Sequence, residues 1–186
     1  MIRGGVDILQ LRAKRRSVRD TTMVAHELRE ITREHGVPLV INDHPEIARA
    51  CGADGVHAGQ DDLSVRAVRE AAGADCFVGK STHSVEQALV AAAEGADYIG
   101  FGPLFATPTK PDYAPIGMAE IREVHARVSV PIFCIGGIKL DNLPEVIAAG
   151  ARGVVIVSGL LQAADVAEYA RSAKQLLTRA AAAIHH

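Results

Sequence analysis

One local pattern recurs five times along the 186 residues and limits what the chain can fold into. An Ala-rich amphipathic stretch runs into a glycine, a short polar step follows, and then a short β-branched run begins. The copies lie at 34–41 (EHGVPLVI), 50–56 (ACGADGV), 71–78 (AAGADCFV), 93–99 (AEGADYI) and 149–155 (AGARGVV). Glycine alone takes the left-handed conformation that ends a helix without a Cβ penalty, so each copy reads as a helix stop followed within a few residues by a strand. That is the αβ loop of a parallel sheet. The apolar runs at 6–11, 38–41, 55–57, 76–79, 98–102, 131–135 and 154–157 then count as seven strands. They alternate with helices over 17–35, 45–51, 64–72, 85–94, 118–128, 143–149 and 165–182.

Alternating β and α with continuously apolar strands means a parallel sheet covered by helices, either doubly wound or closed as a barrel. The distribution of polar residues separates the two. A doubly wound sheet gathers its chemistry at one switch point, whereas a barrel gathers it from the C-terminal ends of most strands. Here almost every strand end is chemically equipped: Gln10, Arg12 and Lys14; Asn42 and Asp43; Gln60 and Asp62; Lys80 and Ser81; Thr107 to Lys110; Gly136 and Gly137; Ser158 and Gly159. The fold class read from this is α/β, a (β/α)8 TIM-type barrel occupying 1–186 as a single domain. Its N-terminal β/α unit is expected to be missing, because the chain enters a strand almost at once. An open barrel leaves an unpaired edge, so the gap is expected either to weaken the chain or to be covered, for example in a homo-oligomer.

Composition excludes several function classes. A formal net charge of −2 and a pI of about 6.4 lack the basic excess of a general nucleic-acid binder. No apolar run approaches the roughly 20 residues of a membrane span, and MIRGGVDILQ lacks the apolar centre of a signal peptide, so the expected compartment is the cytoplasm. Cys51, Cys76 and Cys134 are too widely spaced for a zinc site and read as reduced, buried thiols. With no Trp and 4% aromatics, the core is expected to consist of small aliphatics.

Gln10, Arg12 and Lys14 share one strand parity, with Leu9 and Leu11 on the other, so two cations and an amide face one side, as an anionic ligand such as a diphosphate requires. A solvated basic turn over Lys14, Arg15, Arg16 and Arg19 is the other reading. Asp43 and Asp62 follow adjacent strands, and two such carboxylates can share a hard cation; Mg2+ is commonly held by one or two carboxylates plus substrate phosphates. Either Asp could instead cap the helix that follows it. His44 and His57 have no metal-ligand spacing and read as structural. Gly136-Gly137 and Ser158-Gly159 close the last two strands, where barrels commonly bind phosphate, although glycines there also serve backbone shape alone. The segment 102–112 sets two hydroxyls and a lysine between prolines and reads as a phosphate-contacting loop.

Taken in order, 4–14 (GGVDILQLRAK), 41–43 (IND), 52–62 (GADGVHAGQDD), 81–84 (STHS), 95–103 (GADYIGFGP), 107–111 (TPTKP) and 135–138 (IGGI) resemble the thiamine phosphate synthase family. The resemblance runs from Gly4 to about Gly159. It implies a barrel that joins hydroxymethylpyrimidine diphosphate to a thiazole phosphate with Mg2+, releasing diphosphate. It further implies that Gln10, Leu11, Arg12, Ala13, Lys14, Asn42, Ser81 and Lys110 bind the pyrimidine diphosphate, and that Arg12, Lys14 and Lys110 stabilise the leaving charge. Asp43 and Asp62 would ligate Mg2+, and Thr107, Pro108, Thr109, Gly137, Val157 and Ser158 would hold the thiazole phosphate. Ala13 departs from the family, which has Glu there. Two other readings remain at this level: a thiazole tautomerase-like barrel, which resembles this one but uses a histidine just after the strand, where this chain has Gly102-Pro103, and a non-catalytic or defective phosphate-binding barrel. His185 and His186 are assigned no role.

Overall fold

The computed structural model describes residues 1–107 and 114–184. After a short 3-10 turn at Ile2–Gly4 the strands and helices alternate as β1 (Leu9–Leu11), α1 (Val18–Glu34), β2 (Leu39–Asn42), α2 (Pro45–Cys51), β3 (Gly55–Ala58), α3 (Val65–Ala72), β4 (Phe77–Thr82), α4 (Val85–Ala93) and β5 (Tyr98–Phe101). They continue as α5 (Ile121–Arg127), β6 (Ile132–Ile135), α6 (Leu143–Ala148), β7 (Val154–Val155), α7 (Ser158–Leu161) and α8 (Val166–Ile184). All seven strands are parallel and neighbour one another in chain order, from β1 to β7. This is an α/β sheet of the TIM-like kind. Among the described residues, β1 pairs only with β2 and β7 only with β6. No described helix is long and apolar enough to cross a membrane.

The helix-stop glycines behave as the repeat requires: Gly36, Gly52, Gly73, Gly95 and Gly150 all have positive φ. The Gly-Ala-Asp step does a second job at the N-terminal end of the sheet. Asp54 Oδ2 accepts the Leu39 N–H at 2.8 Å and an Arg29 Nη1–H at 2.7 Å. Asp97 repeats this two units later, accepting from the Val78 N–H and from Arg69 Nη2, both at 2.7 Å. Each carboxylate thereby ties the start of one strand to a helix on the outer face and satisfies a backbone donor that burial would otherwise orphan. Helix starts are set by Ser17, Ser64 and Ser84, whose hydroxyls accept the N–H groups of Asp20, Ala67 and Gln87.

Strand alternation sorts the side chains into two layers. Leu39 and Ile41 of β2, Val56 and Ala58 of β3, Ile99 and Phe101 of β5, and Ile132 and Cys134 of β6 join the buried cluster beneath the helices. The opposite parity supplies the interior, and there the expectation of small aliphatics fails. Phe77, Tyr98 and Phe133 form an aromatic plug, with Tyr98 edge-on to Phe77 at 6.0 Å and to Phe133 at 5.6 Å between ring centroids. The long helix α8 returns to the chain's start. A Cβ on Gly4 would overlap the Ala167 carbonyl oxygen and lie 2.6 Å from Ala170 Cβ, so only glycine allows the turn to pack this closely. Lys174 of α8 also pairs with Asp7.

Several boundaries differ from the sequence reading, β4 running to Thr82 and α5 starting at Ile121 among them. β1 begins at Leu9 rather than at residue 6, and β7 is two residues long. Ser158 opens the short helix α7, which the sequence pattern did not announce.

Candidate active site

The interior parity of the strands converges on a cavity that opens to solvent at the C-terminal ends of the sheet. Gln10 of β1, Asn42 of β2, His57 of β3, Ser81 of β4 and Tyr98 of β5 reach it from five strands. Arg12, just past β1, stands over it. Phe133, Ile135 and Val155 supply an apolar wall, and Gly137, Val157, Ser158 and Thr107 border the far side. Of the residues expected from sequence, Gln10, Arg12, Asn42, Ser81, Thr107, Gly137, Val157 and Ser158 are therefore brought to one cavity. Leu11 packs against the core beneath the helices, as its parity requires. Neither Leu11 nor Ala13 lines the cavity. Pro108, Thr109 and Lys110 lie outside the described residues.

The loops after β5 and β6 are fastened to each other beside this cavity. Leu104 N–H donates to the Ile135 carbonyl at 2.9 Å and Phe105 N–H to the Gly136 carbonyl at 3.1 Å. Gly136 and Gly137 have φ of 100° and 67°, and a Cβ on Gly137 would lie 2.7 Å from Phe105 Cβ. The Gly-Gly turn is thus needed both for its left-handed backbone and for the close approach of the 102–106 loop. Pro103 lines the cavity.

Beside the cavity mouth, Lys14, Asp43 and Asp62 form a charged group. Lys14 Nζ is 3.3 Å from Asp43 Oδ2, and the two carboxyl groups are within hydrogen-bonding reach of each other. Neither acid is a helix cap. His44 occupies the N-cap of α2 and Ser64 that of α3, while Asp62 Oδ2 instead accepts the Gly59 N–H at 2.6 Å. Asp43 has a φ of 66°, the left-handed region that a non-glycine residue enters at a cost, and its N–H donates to the His57 carbonyl at 2.9 Å. Burial, and then the Asp62 carboxyl beside it, push the Asp43 carboxyl above the ordinary carboxylate range against the pull of Lys14. Burial also acts on Asp62, but the Gly59 N–H, the Asp43 carboxyl and the cations of Lys14 and Lys80 outweigh it and hold this acid below the range. Asp43 and Asp62 are thus shifted in opposite directions, Asp43 holding its proton more tightly than an ordinary carboxyl and Asp62 less tightly.

Lys80 faces outward from β4 and is buried, donating to the carbonyls of Gly59 at 2.6 Å and Leu63 at 3.2 Å. It fastens the loop that carries Asp62. Gln60 of the same loop donates to the Ser81 carbonyl. Sequence reasoning missed His57, Tyr98 and His83 as cavity residues. His57 is hydrogen-bonded through both ring nitrogens, to Tyr98 and to Ser81, and His83 bonds the Gly102 carbonyl through Nδ1.

Comparison with known proteins gives a consistent picture. The profile of the family described as Thiamine monophosphate synthase matches residues 1–160. The thiamine-phosphate synthase of Chloroflexus aurantiacus is 46% identical over 176 residues, covering 94% of this chain and 81% of the relative. That of Methanoculleus marisnigri is 44% identical over 180 residues, covering 96% and 85%. Among solved structures, the thiamine phosphate pyrophosphorylase of Pyrococcus furiosus superposes with a TM-score of 0.89 at 32% identity, covering 96% of this chain and 86% of that one.

Proposed function

The chain belongs to the thiamine monophosphate synthase family, and on that premise we propose that it is a thiamine phosphate synthase, transferring the hydroxymethylpyrimidine group from its diphosphate to thiazole phosphate. The observation that carries this reading is the convergence of Gln10, Asn42 and Ser81, from three separate strands, on one cavity with Arg12 above it and the Lys14–Asp43–Asp62 group at its rim. Gln10, Asn42 and Ser81 hold the pyrimidine. Arg12 and Lys14 bind the diphosphate, with Lys110 as a third cation, and they stabilise the charge that gathers on it as the C–O bond breaks.

The electron-rich aminopyrimidine carries the methylene cation left behind. Water would quench that cation, and the apolar wall of Phe133, Ile135 and Val155 keeps the reacting carbon dry. The thiazole nitrogen then captures it, with the thiazole phosphate held by the 107–109 segment, Gly137, Val157 and Ser158. No side chain has to remove a proton for the new C–N bond to form.

Asp43 and Asp62 fit a hard divalent cation, being two carboxylate oxygen donors that meet beside the cavity. Bound there together with the substrate diphosphate, Mg2+ would neutralise the leaving group's charge. Mg2+ keeps several waters and takes part of its shell from phosphate, so two carboxylates are enough protein ligands for it.

We read the seven strands as part of a (β/α)8 barrel, one domain over residues 1–186, whose remaining strand fits between β1 and β7. The protein acts on small molecules in the cytoplasm, and a second copy or an added strand could cover the open edges. The activity test is direct: incubate the chain with both substrates and Mg2+ and follow thiamine phosphate and diphosphate by chromatography. Stoichiometric formation of both, reduced at least about a hundredfold in kcat/KM by Arg12→Ala, is expected. Absence of product from the wild-type chain overturns the reading.

A further inference from the structure

His83 follows β4 directly and lines the cavity, and the proposed chemistry gives it no part. Its backbone is fixed from behind. The His83 N–H donates to Gln87 Oε1 at 2.8 Å and the Gln87 N–H donates to Ser84 Oγ at 3.2 Å, so the residue before α4 and the first turn of α4 hold each other. The ring reaches the other way, to the loop after β5. There Nδ1 meets the carbonyl oxygen of Gly102, and since a carbonyl can only accept, Nδ1 carries the proton. Gly102 is buried, and its N–H donates to the Thr82 carbonyl at 3.1 Å. Both polar groups of Gly102 are thus engaged by consecutive residues at the end of β4. From Gly102 the loop crosses to β6, where Leu104 and Phe105 donate their N–H groups to the carbonyls of Ile135 and Gly136. The fit is close. A Cβ on Gly102 would overlap the Ile135 carbonyl oxygen, and one on Gly136 would overlap Pro103. Residues 102–105 therefore form a brace between the end of β4 and the Gly136-Gly137 turn, held by two backbone bonds at the β6 side and by one backbone bond plus the His83 ring at the β4 side.

Resting on the assignment of Gly137, Val157 and Ser158 to the thiazole phosphate, we propose that His83 is a positioning residue for that substrate: its Nδ1–H fixes the 102–105 loop, and the loop fixes the Gly136-Gly137 turn against which the phosphate lies. An anion held by backbone N–H groups depends on where those groups stand, and a turn of two glycines has no side chains of its own to hold it in place. The loop supplies that support. Phe105 Cβ and the Ala106 carbonyl oxygen lie where a Cβ on Gly137 would come within 2.7 and 3.0 Å of them. Losing the imidazole donor would leave the buried Gly102 carbonyl without it and free the β4 side of the brace. The pyrimidine side is insulated from this change. Gln10, Asn42 and Ser81 stand on β1, β2 and β4, and the backbone at His83 stays tied to Gln87 whatever its side chain does.

The test separates the two substrates. Asparagine and glutamine carry the same amide, but only the shorter side chain brings its N–H to where Nδ1 stands. His83→Gln should raise the KM of thiazole phosphate about tenfold, the worth of one hydrogen bond, while the KM of the pyrimidine diphosphate stays within about twofold. His83→Asn should bring the thiazole phosphate KM back to within about threefold of wild type. Calorimetric titration with thiazole phosphate alone should rank the three proteins in the same order without turnover. Imidazole 15N NMR of the free protein, with the His83 signals assigned by their loss in His83→Asn, should show a proton on Nδ1. An Nδ1 without a proton, equal thiazole phosphate affinities in the two variants, or a pyrimidine KM that rises in step with the thiazole KM overturns the proposal. If circular dichroism finds His83→Gln unfolded, the Asn variant decides: wild-type affinity for thiazole phosphate upholds the brace, and its loss overturns it. Absence of product from the wild type counts against the synthase reading instead. Calorimetry then judges the brace by itself, and a wild-type chain that binds no thiazole phosphate overturns it.

Discussion

Replacing Gly79 by alanine should strike the fold and the site through one contact. The added methyl would overlap the ring of Tyr98, and that ring has little room to retreat, being held edge-on between Phe77 at 6.0 Å and Phe133 at 5.6 Å. Over-packing of a fixed interior costs about 1–3 kcal/mol. Displacing the Tyr98 hydroxyl from His57 forfeits about 0.5–1.5 kcal/mol more, since both groups are buried. Alanine's better strand entropy returns about 0.5–1 kcal/mol. The net loss is about 1–3.5 kcal/mol, or roughly 2–14 °C in melting temperature for a chain of this length. Thermal unfolding by circular dichroism measures it. Tyr98→Leu removes the atoms that the methyl would strike, so the double variant should be more stable than the sum of the two single losses by at least about 1 kcal/mol. If Gly79→Ala melts with the wild type, or if the two changes simply add, the glycine is not there to admit Tyr98.

Three further outcomes follow from the geometry. Asp54→Ala should cost about 1–3 kcal/mol, because the N–H of the fully buried Leu39 loses its acceptor, whereas Asp54→Asn keeps an oxygen there and should cost less than half as much; equal losses in urea unfolding would assign the effect to the Arg29 ion pair instead. Asp43→Asn suits the left-handed backbone and removes one of two crowded carboxylates, so the metal-free chain should melt within a few degrees of wild type while half-activation needs at least about tenfold more Mg2+; an unchanged Mg2+ titration with a lowered melting point would give Asp43 a structural role only. Burial pushes the Cys134 thiol up to about 12 and the Cys76 thiol up to about 11, above the 9.0 of an exposed thiol. Thiols raised in this way favour folding fully below pH 9, and the advantage fades as pH climbs through the folded values, so stability should decline from pH 9 to 11 and Cys134→Ala should flatten that decline; parallel stability curves for the two proteins over this range would refute it.

What the sequence made legible is what local chemistry dictates. Each helix-stop glycine was recognisable because the backbone conformation it permits belongs to one residue, and all five adopt positive φ. The polar strand ends were recognisable because strand parity and strand ends are local, so Gln10 and Arg12 could be set on one side, and Asn42 and Ser81 at their strand ends, without knowing their neighbours. That Asp43 and Asp62 are not helix caps was not legible locally: His44 and Ser64 hold the cap positions of α2 and α3, and the two acids meet because loops from different units come together. His57 and Tyr98 were hidden for a related reason. Each sits in an apolar run that looks like plain core, and their partnership exists only through the register that lines up His57, Gly79 and Tyr98 across three strands. One signal did point there. A glycine at inward parity in the middle of β4 gives up packing and strand propensity, and it is sustained when something bulky crosses over it. Since Gly100 stands in the same relation to the ring of His57, Gly79 and Gly100 mark where side chains from the non-adjacent strands β3 and β5 come together, and that is where the interior departs from small aliphatic packing.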